Sequence, residues 1–253
     1  MEDFPEEQRS SSSIIYSDSK KASEYQKKKE AFMAVKTFAA ISIGSAVTEM
    51  KIFEYTSRKS MKEIDWVATR LNLGLDAYTT GRISSKNVEE LCAVLRDFKR
   101  IMNGYRVTEY RACATSAFRE SRNMLIMRDY IEKQTGLSID VLSNSEQRFV
   151  DYQSIASVTD EFESIIQNPA AIVDIGGSSM QISLFDKDKL ITTQNIRVGS
   201  ITIRERLTPL EKNSSHFEHM VKEVLEHELS GFNKLYQKDR QIKNLIVVGG
   251  NLL

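Results

Sequence analysis

The sequence predicts an α/β fold of two similar lobes with a cleft between them. Three observations carry this. A unit of strand, glycine turn and strand occurs twice in register. Helical and strand patterns alternate along the rest of the chain. Of the 253 residues, 41% are hydrophobic, enough to pack a core in each half.

The first unit opens near Phe38. Ala39 to Ile43 is a short apolar strand, Gly44-Ser45 a turn, and Val47 to Tyr55 a second strand. The second unit repeats this design. Ala171 to Ile175 is a strand, Gly176-Gly177-Ser178-Ser179 a turn, and Ile182 to Phe185 a strand. Laying Gly44 on Gly176 places Ile43 on Ile175, Phe53 on Phe185 and Glu49 on Gln181, the mark of an internal duplication. Between the units, Ser85 to Met102 reads as a helix, with Val88, Leu91, Leu95 and Phe98 at helical spacing. Val107 to Ala114 reads as a strand. Thr115 or Ser116 then caps a helix that ends near Gly136. Ile139 to Leu142 is a short strand, and Asn144 or Ser145 starts a helix through Ala156. After the second unit, Ser214 or Ser215 starts a long helix to Gly231, and Leu245 to Val248 is a strand running into Gly249-Gly250.

This pattern divides the chain into a polar, partly disordered leader over residues 1–36, a first lobe over 37–160 and a second over 161–253. A strand-to-glycine turn normally leads into another element, so the second lobe reads as truncated at its C-terminus.

Lys plus Arg and Asp plus Glu both number 35, so no global field draws in a polyanion, and nucleic acid is not an expected partner. No apolar run reaches the roughly 18 residues of a membrane span. The start lacks an apolar signal segment. Cys92 and Cys113 form no C-x-x-C pair, which suits a reducing cytosol, and a cytoplasmic location is expected. A homodimer is left open. His216, His219 and His227 fall on one helix face away from its apolar stripe and read as solvated. The lone Trp66 reads as a packing residue.

Chemistry is expected first at the two turns. Glycine permits close approach, and backbone N–H groups with serine hydroxyls point at one anion. Gly44 with Ser45, and Gly176, Gly177, Ser178 and Ser179, make two such loops, and facing loops can hold a string of phosphates between lobes. Asp174 precedes the second loop; it either holds Mg²⁺ beside phosphates or ends a strand by bonding the turn. Thr115 and Ser116, with Arg119 one turn on, read either as an anion site or as a helix cap with a surface arginine.

These stretches together resemble the exopolyphosphatase and guanosine pentaphosphate phosphohydrolase (Ppx/GppA) family. Ala114 to Asn123 (ATSAFRESRN) looks like that family's A-T-S-A-x-R-x-A-x-N segment, and Asp174 to Ser179 (DIGGSS) like its D-I-G-G-G-S loop. Ile41 to Val47 is similar to its D-I-G-S-N-S loop, and Ser143 to Tyr152 to its S-G-x-x-E-A segment. Gly199 to Ile203 and Val248-Gly249-Gly250 follow in family order, so the match spans about residues 37–253. The resemblance implies an actin-like (ribonuclease H-like), two-lobed ATPase-type fold. It also implies Mg²⁺ as cofactor and polyphosphate or a phosphorylated guanine nucleotide as ligand. Phosphate would then be gripped by Thr115, Ser116 and Arg119, with Gly44, Ser45 and Gly176 to Ser179 lining the loops.

The departures fall on the acids. The first-loop aspartate position is Ser42 here, the two glutamate positions are Gln147 and Gln181, and an arginine position is Glu49. Cleaving a phosphoanhydride needs a carboxylate to orient or deprotonate water and charge to hold Mg²⁺; glutamine supplies neither. Loss of one general base costs about 10²–10⁴-fold. Three readings follow: a phosphate-binding protein with weak or lost catalysis, an active exopolyphosphatase in which Glu146 or Glu49 substitutes, or a regulatory protein on the same fold.

Overall fold

The computed structural model describes residues 35–56, 61–158, 161–211, 216–237 and 240–249. The leader, Ser214, Ser215 and Gly250 lie outside the described residues, apart from the leader's last two positions.

Two sheets form. The first has the order β3-β2-β1-β4-β5, from β1 (Lys36–Ile43), β2 (Val47–Tyr55), β3 (Met61–Arg70), β4 (Glu109–Ala114) and β5 (Asp140–Val141). The second has the order β8-β7-β6-β9, from β6 (Ala170–Ile175), β7 (Met180–Asp186), β8 (Lys189–Ile196) and β9 (Asn244–Val248). In each, an antiparallel meander of three strands is joined by a parallel strand beside its first member. The helices are α1 (Leu73–Thr80), α2 (Ser85–Gly104), α3 (Ser116–Glu120), α4 (Met124–Thr135), α5 (Asn144–Val158), α6 (Phe162–Ile166), α7 (Ser200–Glu211) and α8 (Phe217–Phe232).

Alternation decides which strand face is covered. On β1, Ala39, Ile41 and Ile43 are buried and pack with Leu91, Leu95 and Phe98 of α2 in one cluster. The second sheet is covered on both faces. Ile172 and Phe185 meet Tyr152 and Ile155 of α5, and Ile182 and Leu184 meet Leu225 and Leu229 of α8. Helix α5 thus lies against the second sheet while its first turn follows directly from β5 of the first.

Five of these elements were not legible in the sequence: β3, α1, α6, β8 and α7. Strands β3 and β8 are edge strands with one open side, so their apolar alternation is diluted by charged and polar residues. The helix expected from 116 to 136 is two helices. At the break the Arg122 N–H donates to the Gly81 carbonyl at 2.9 Å instead of to a helical acceptor. The Asn123 side chain docks on Ile83, its Oδ1 accepting from the Ile83 N–H at 3.2 Å and its Nδ2 donating to the Ile83 carbonyl at 2.9 Å. Gly136, with φ of 69°, closes α4 at the expected place.

Candidate functional site

The duplication is exact in hydrogen bonding. The Gly44 N–H donates to the Val47 carbonyl at 2.9 Å, and the Gly176 N–H donates to the Ser179 carbonyl at 2.9 Å. Ser42 faces Glu49 across β1 and β2, as Asp174 faces Gln181 across β6 and β7. The two turns meet. A Cβ placed on Gly177 would stand 2.7 Å from Ser45 Cβ, so only glycine allows this approach. Gly44 and Gly176 line one cavity of about 470 Å³.

Around it the structure gathers most of the predicted residues. Ser45, Thr115, Ser116 and Arg119 line the first-lobe side; Asp174, Gly177, Ser179 and Gln181 line the second. Ser45 and Ser116 are buried and form a closed triangle of hydroxyls with Tyr78 of α1, at 2.5, 2.9 and 3.1 Å. Three hydroxyl protons serve three edges, so the triangle can donate to an outside acceptor only by opening one edge. Tyr78 escaped the sequence reading because α1 did. The Arg119 guanidinium donates to the Leu142 carbonyl at 2.7 Å, which fixes the side chain and leaves the rest of its fork for a ligand. Burial pulls its proton affinity down from the usual arginine value. Ser178 is turned away: its hydroxyl donates to Glu120 of α3 at 2.9 Å, tying the second loop to the first lobe, and it lines the neighbouring cavity of about 700 Å³.

The glutamine positions sit at the centre. Gln147 Nε2 donates to Asp174 Oδ2 at 2.8 Å. Gln181 is 4% exposed, and its buried Oε1 has no hydrogen-bond partner among the described residues. Burial holds the Asp174 carboxyl above its ordinary value, against the pull of Gln147 and Arg119. Glu146 is elsewhere. It accepts from the Ser143 N–H at 2.8 Å while its own N–H donates to Ser143 Oγ at 3.2 Å, a capping box at the start of α5. Those bonds hold its carboxyl below the usual range. Glu49 lines the cavity and accepts from the Trp66 indole at 3.0 Å. Trp66 is 57% exposed, not the packing residue expected from the sequence. A carboxylate that sequence reading missed is Asp151, one turn beyond Gln147 on α5. Its Oδ2 is buried without a partner among the described residues, and burial with the nearby Asp174 charge pushes its pKa up to about 7. The i, i+4 spacing from Gln147 was the available signal.

A profile of the Ppx/GppA phosphatase family matches residues 52–249. The chain belongs to the Ppx/GppA phosphatase family. A bifunctional 3-dehydroquinate synthase/phosphatase of Fusobacterium nucleatum is 25% identical over 214 residues, covering 78% of this chain and 31% of that protein. The chain therefore spans about a third of that relative's length. The Ppx/GppA family member of Aquifex aeolicus is similar in structure, with a TM-score of 0.64 at 22% identity over 86% of this chain and 67% of that one. An exopolyphosphatase from Cytophaga hutchinsonii gives a TM-score of 0.64 at 18% identity over 85% of this chain and 67% of that one. The fold is the actin-like ATPase fold that the family resemblance implied.

Phosphatases of this fold type typically use a divalent metal. Among the described residues no group of three or more His, Cys, Asp or Glu is placed to hold one. The donors that are present are oxygens: the Asp174 carboxylate and the orphaned Gln181 Oε1 opposite it. This set fits a hard cation such as Mg²⁺ that keeps several waters and takes further ligands from phosphate. The three histidines are exposed on or beside α8, far in sequence from this set. No helix among the described residues is long and apolar enough to cross a membrane.

Proposed function

We propose that this chain binds a phosphate chain, as inorganic polyphosphate or a phosphorylated guanine nucleotide, in the cleft between its lobes, and hydrolyses it slowly or not at all. The observation that carries the reading is the Gln147–Asp174 hydrogen bond. An amide donor occupies the place where a general base would stand, and it consumes one oxygen of the cleft's second-loop carboxylate. Among the described residues, no hydrogen-bond acceptor is found for the N–H groups of Ser45 and Gly177, which supports an anion between the loops. Arg119 supplies the positive charge, and the Ser45–Ser116–Tyr78 triangle supplies hydroxyl donors. Mg²⁺, when held by Asp174 and Gln181, would neutralise the bound phosphates and polarise the terminal one. Of the two carboxylates offered as replacements for the lost base, Glu146 is bound into its capping box and Glu49 accepts the Trp66 indole N–H on the cleft wall.

Titration calorimetry with tripolyphosphate and Mg²⁺ tests the binding half. Arg119→Ala is expected to weaken binding by about tenfold or more, since a hydrogen bond to a charged group contributes roughly 1.5–3 kcal/mol. Unchanged affinity in that variant would remove Arg119 from the site.

A further inference from the structure

The cleft does not end at the glycine loops. Its first-lobe wall continues along the open face of β2 and β3, where Val47 stands opposite Arg70, Glu49 opposite Ala68, and Lys51 opposite Trp66. Arg70, Ala68, Glu49 and Trp66 line the same cavity as Gly44 and Asp174. Trp66 is the chain's single tryptophan and lies on an edge strand, more than half exposed. Its indole is not loose: Nε1 donates to Glu49 Oε2 at 3.0 Å. Glu49 stands in a row between the small side chains of Ser42 and Ala68, which leaves a trough beside it.

We infer that Trp66 and Glu49 form a base-reading platform, so that the cleft's ligand is a nucleotide whose base stacks on the indole and donates N–H groups to the carboxylate. This rests on the phosphate-binding reading above and names the ligand class for the same site. Three features carry it. First, a partly exposed tryptophan held by a hydrogen bond presents a flat apolar face at little entropic cost, and base–aromatic stacking suits such a face. Second, a carboxylate on the wall of a phosphate cleft is repulsive unless a cation or a ligand donor meets it; a base edge with ring and exocyclic N–H groups supplies such a donor, and a bare phosphate chain does not. Third, the spacing fits. Arg70 and Trp66 are four steps apart along the strand, about 13 Å at the usual rise, the reach of a ribose with a short phosphate chain. Phosphates at the loops, Arg119 and Arg70 would leave the base at Trp66.

The single tryptophan makes the test direct. The full chain is titrated with GTP and, separately, with tripolyphosphate, both with Mg²⁺, following tryptophan emission and heat. GTP is expected to quench the emission saturably. Tripolyphosphate is expected to displace GTP and reverse the quench, without quenching by itself. Trp66→Leu is expected to weaken GTP by about tenfold, read by calorimetry, while tripolyphosphate affinity stays the same and Trp66→Phe restores most of the loss. Glu49→Gln is expected to weaken GTP and leave tripolyphosphate unchanged or tighter. Tripolyphosphate binding with no quench by GTP, and equal GTP affinity in Trp66→Leu, would overturn the platform while leaving the phosphate cleft standing. Failure of both ligands to bind would overturn both readings. An emission shift that follows protein concentration alone would assign Trp66 to a contact between two copies and overturn the platform.

Discussion

A glutamine at a glutamate position keeps shape and hydrogen bonding but changes which partner is tolerated. Gln147 can approach Asp174 to 2.8 Å because its amide donates; a glutamate there would meet Asp174 as a like charge unless a cation lay between. Gln147→Glu with Gln181→Glu is therefore expected to raise phosphate release from polyphosphate more than either change alone, in excess Mg²⁺, because a base and a metal–water partner act as a unit. Equal rates in the parent and the double variant would remove both glutamines from the account, whereas family-like turnover by the parent would show that another carboxylate does the work. Asp151 supplies a second prediction. Its carboxyl is raised to about 7, so between pH about 4 and 7 the folded chain keeps a proton that the unfolded chain gives up. Stability from this group is fully present below the ordinary aspartate value and is lost as pH rises toward 7. In chelator-treated buffer, Asp151→Asn is expected to leave the melting temperature little changed at pH 4.5 and to raise it at pH 8. The gain is on the order of 1 kcal/mol, discounted for partial solvent access. A difference independent of pH would show that the charge is not the cause. Gln147 and Gln181 were legible from the repeat and the motif order. Asp151 and Tyr78 were not, because their roles depend on which helix faces which sheet.

Elements carry their own logic. The repeated strand–turn–strand unit was readable down to its register, because glycine turns and apolar strands leave a pattern that survives in sequence. The edge strand β3 was not, and with it went the meaning of Trp66: a tryptophan looks like core material until the strand that carries it proves to have an open face. Glu146 shows the same lesson on a helix. Sequence offered it as a stand-in base, and the structure uses it to satisfy N–H groups at the start of α5, leaving Gln147 free to turn toward Asp174. Glu146→Ala is expected to lower stability by about 0.5–2 kcal/mol in denaturant melts, with tripolyphosphate affinity within twofold of the parent, as a cap behaves. A large affinity loss at unchanged stability would place Glu146 in the cleft after all.

At the scale of the whole molecule, the cleft exists because two glycine loops from different lobes touch. Gly177 lies against Ser45, with Ile201 of α7 alongside, and the Ser178–Glu120 hydrogen bond crosses the same seam. Gly199 is packed even more tightly, but within its own lobe, where an added Cβ would stand 2.4 Å from the Gly177 carbonyl. The two glycines therefore separate lobe closure from lobe folding. In Gly177→Ala the new methyl meets Ser45 Cβ at 2.7 Å, and the clash is relieved by parting the lobes. Tripolyphosphate affinity is expected to fall by about tenfold, because the facing N–H groups and Arg119 no longer converge, while the melting temperature drops only slightly. In Gly199→Ala the new methyl meets the Gly177 and Gly176 backbone of its own lobe, with no lobe motion to relieve it. Stability is expected to fall by roughly 1–3 kcal/mol, with binding lost as the second loop is displaced. Paired melts and titrations decide the matter. If Gly177→Ala loses as much stability as Gly199→Ala and keeps its affinity, the seam is a fixed part of the core and not the closure of a ligand cleft.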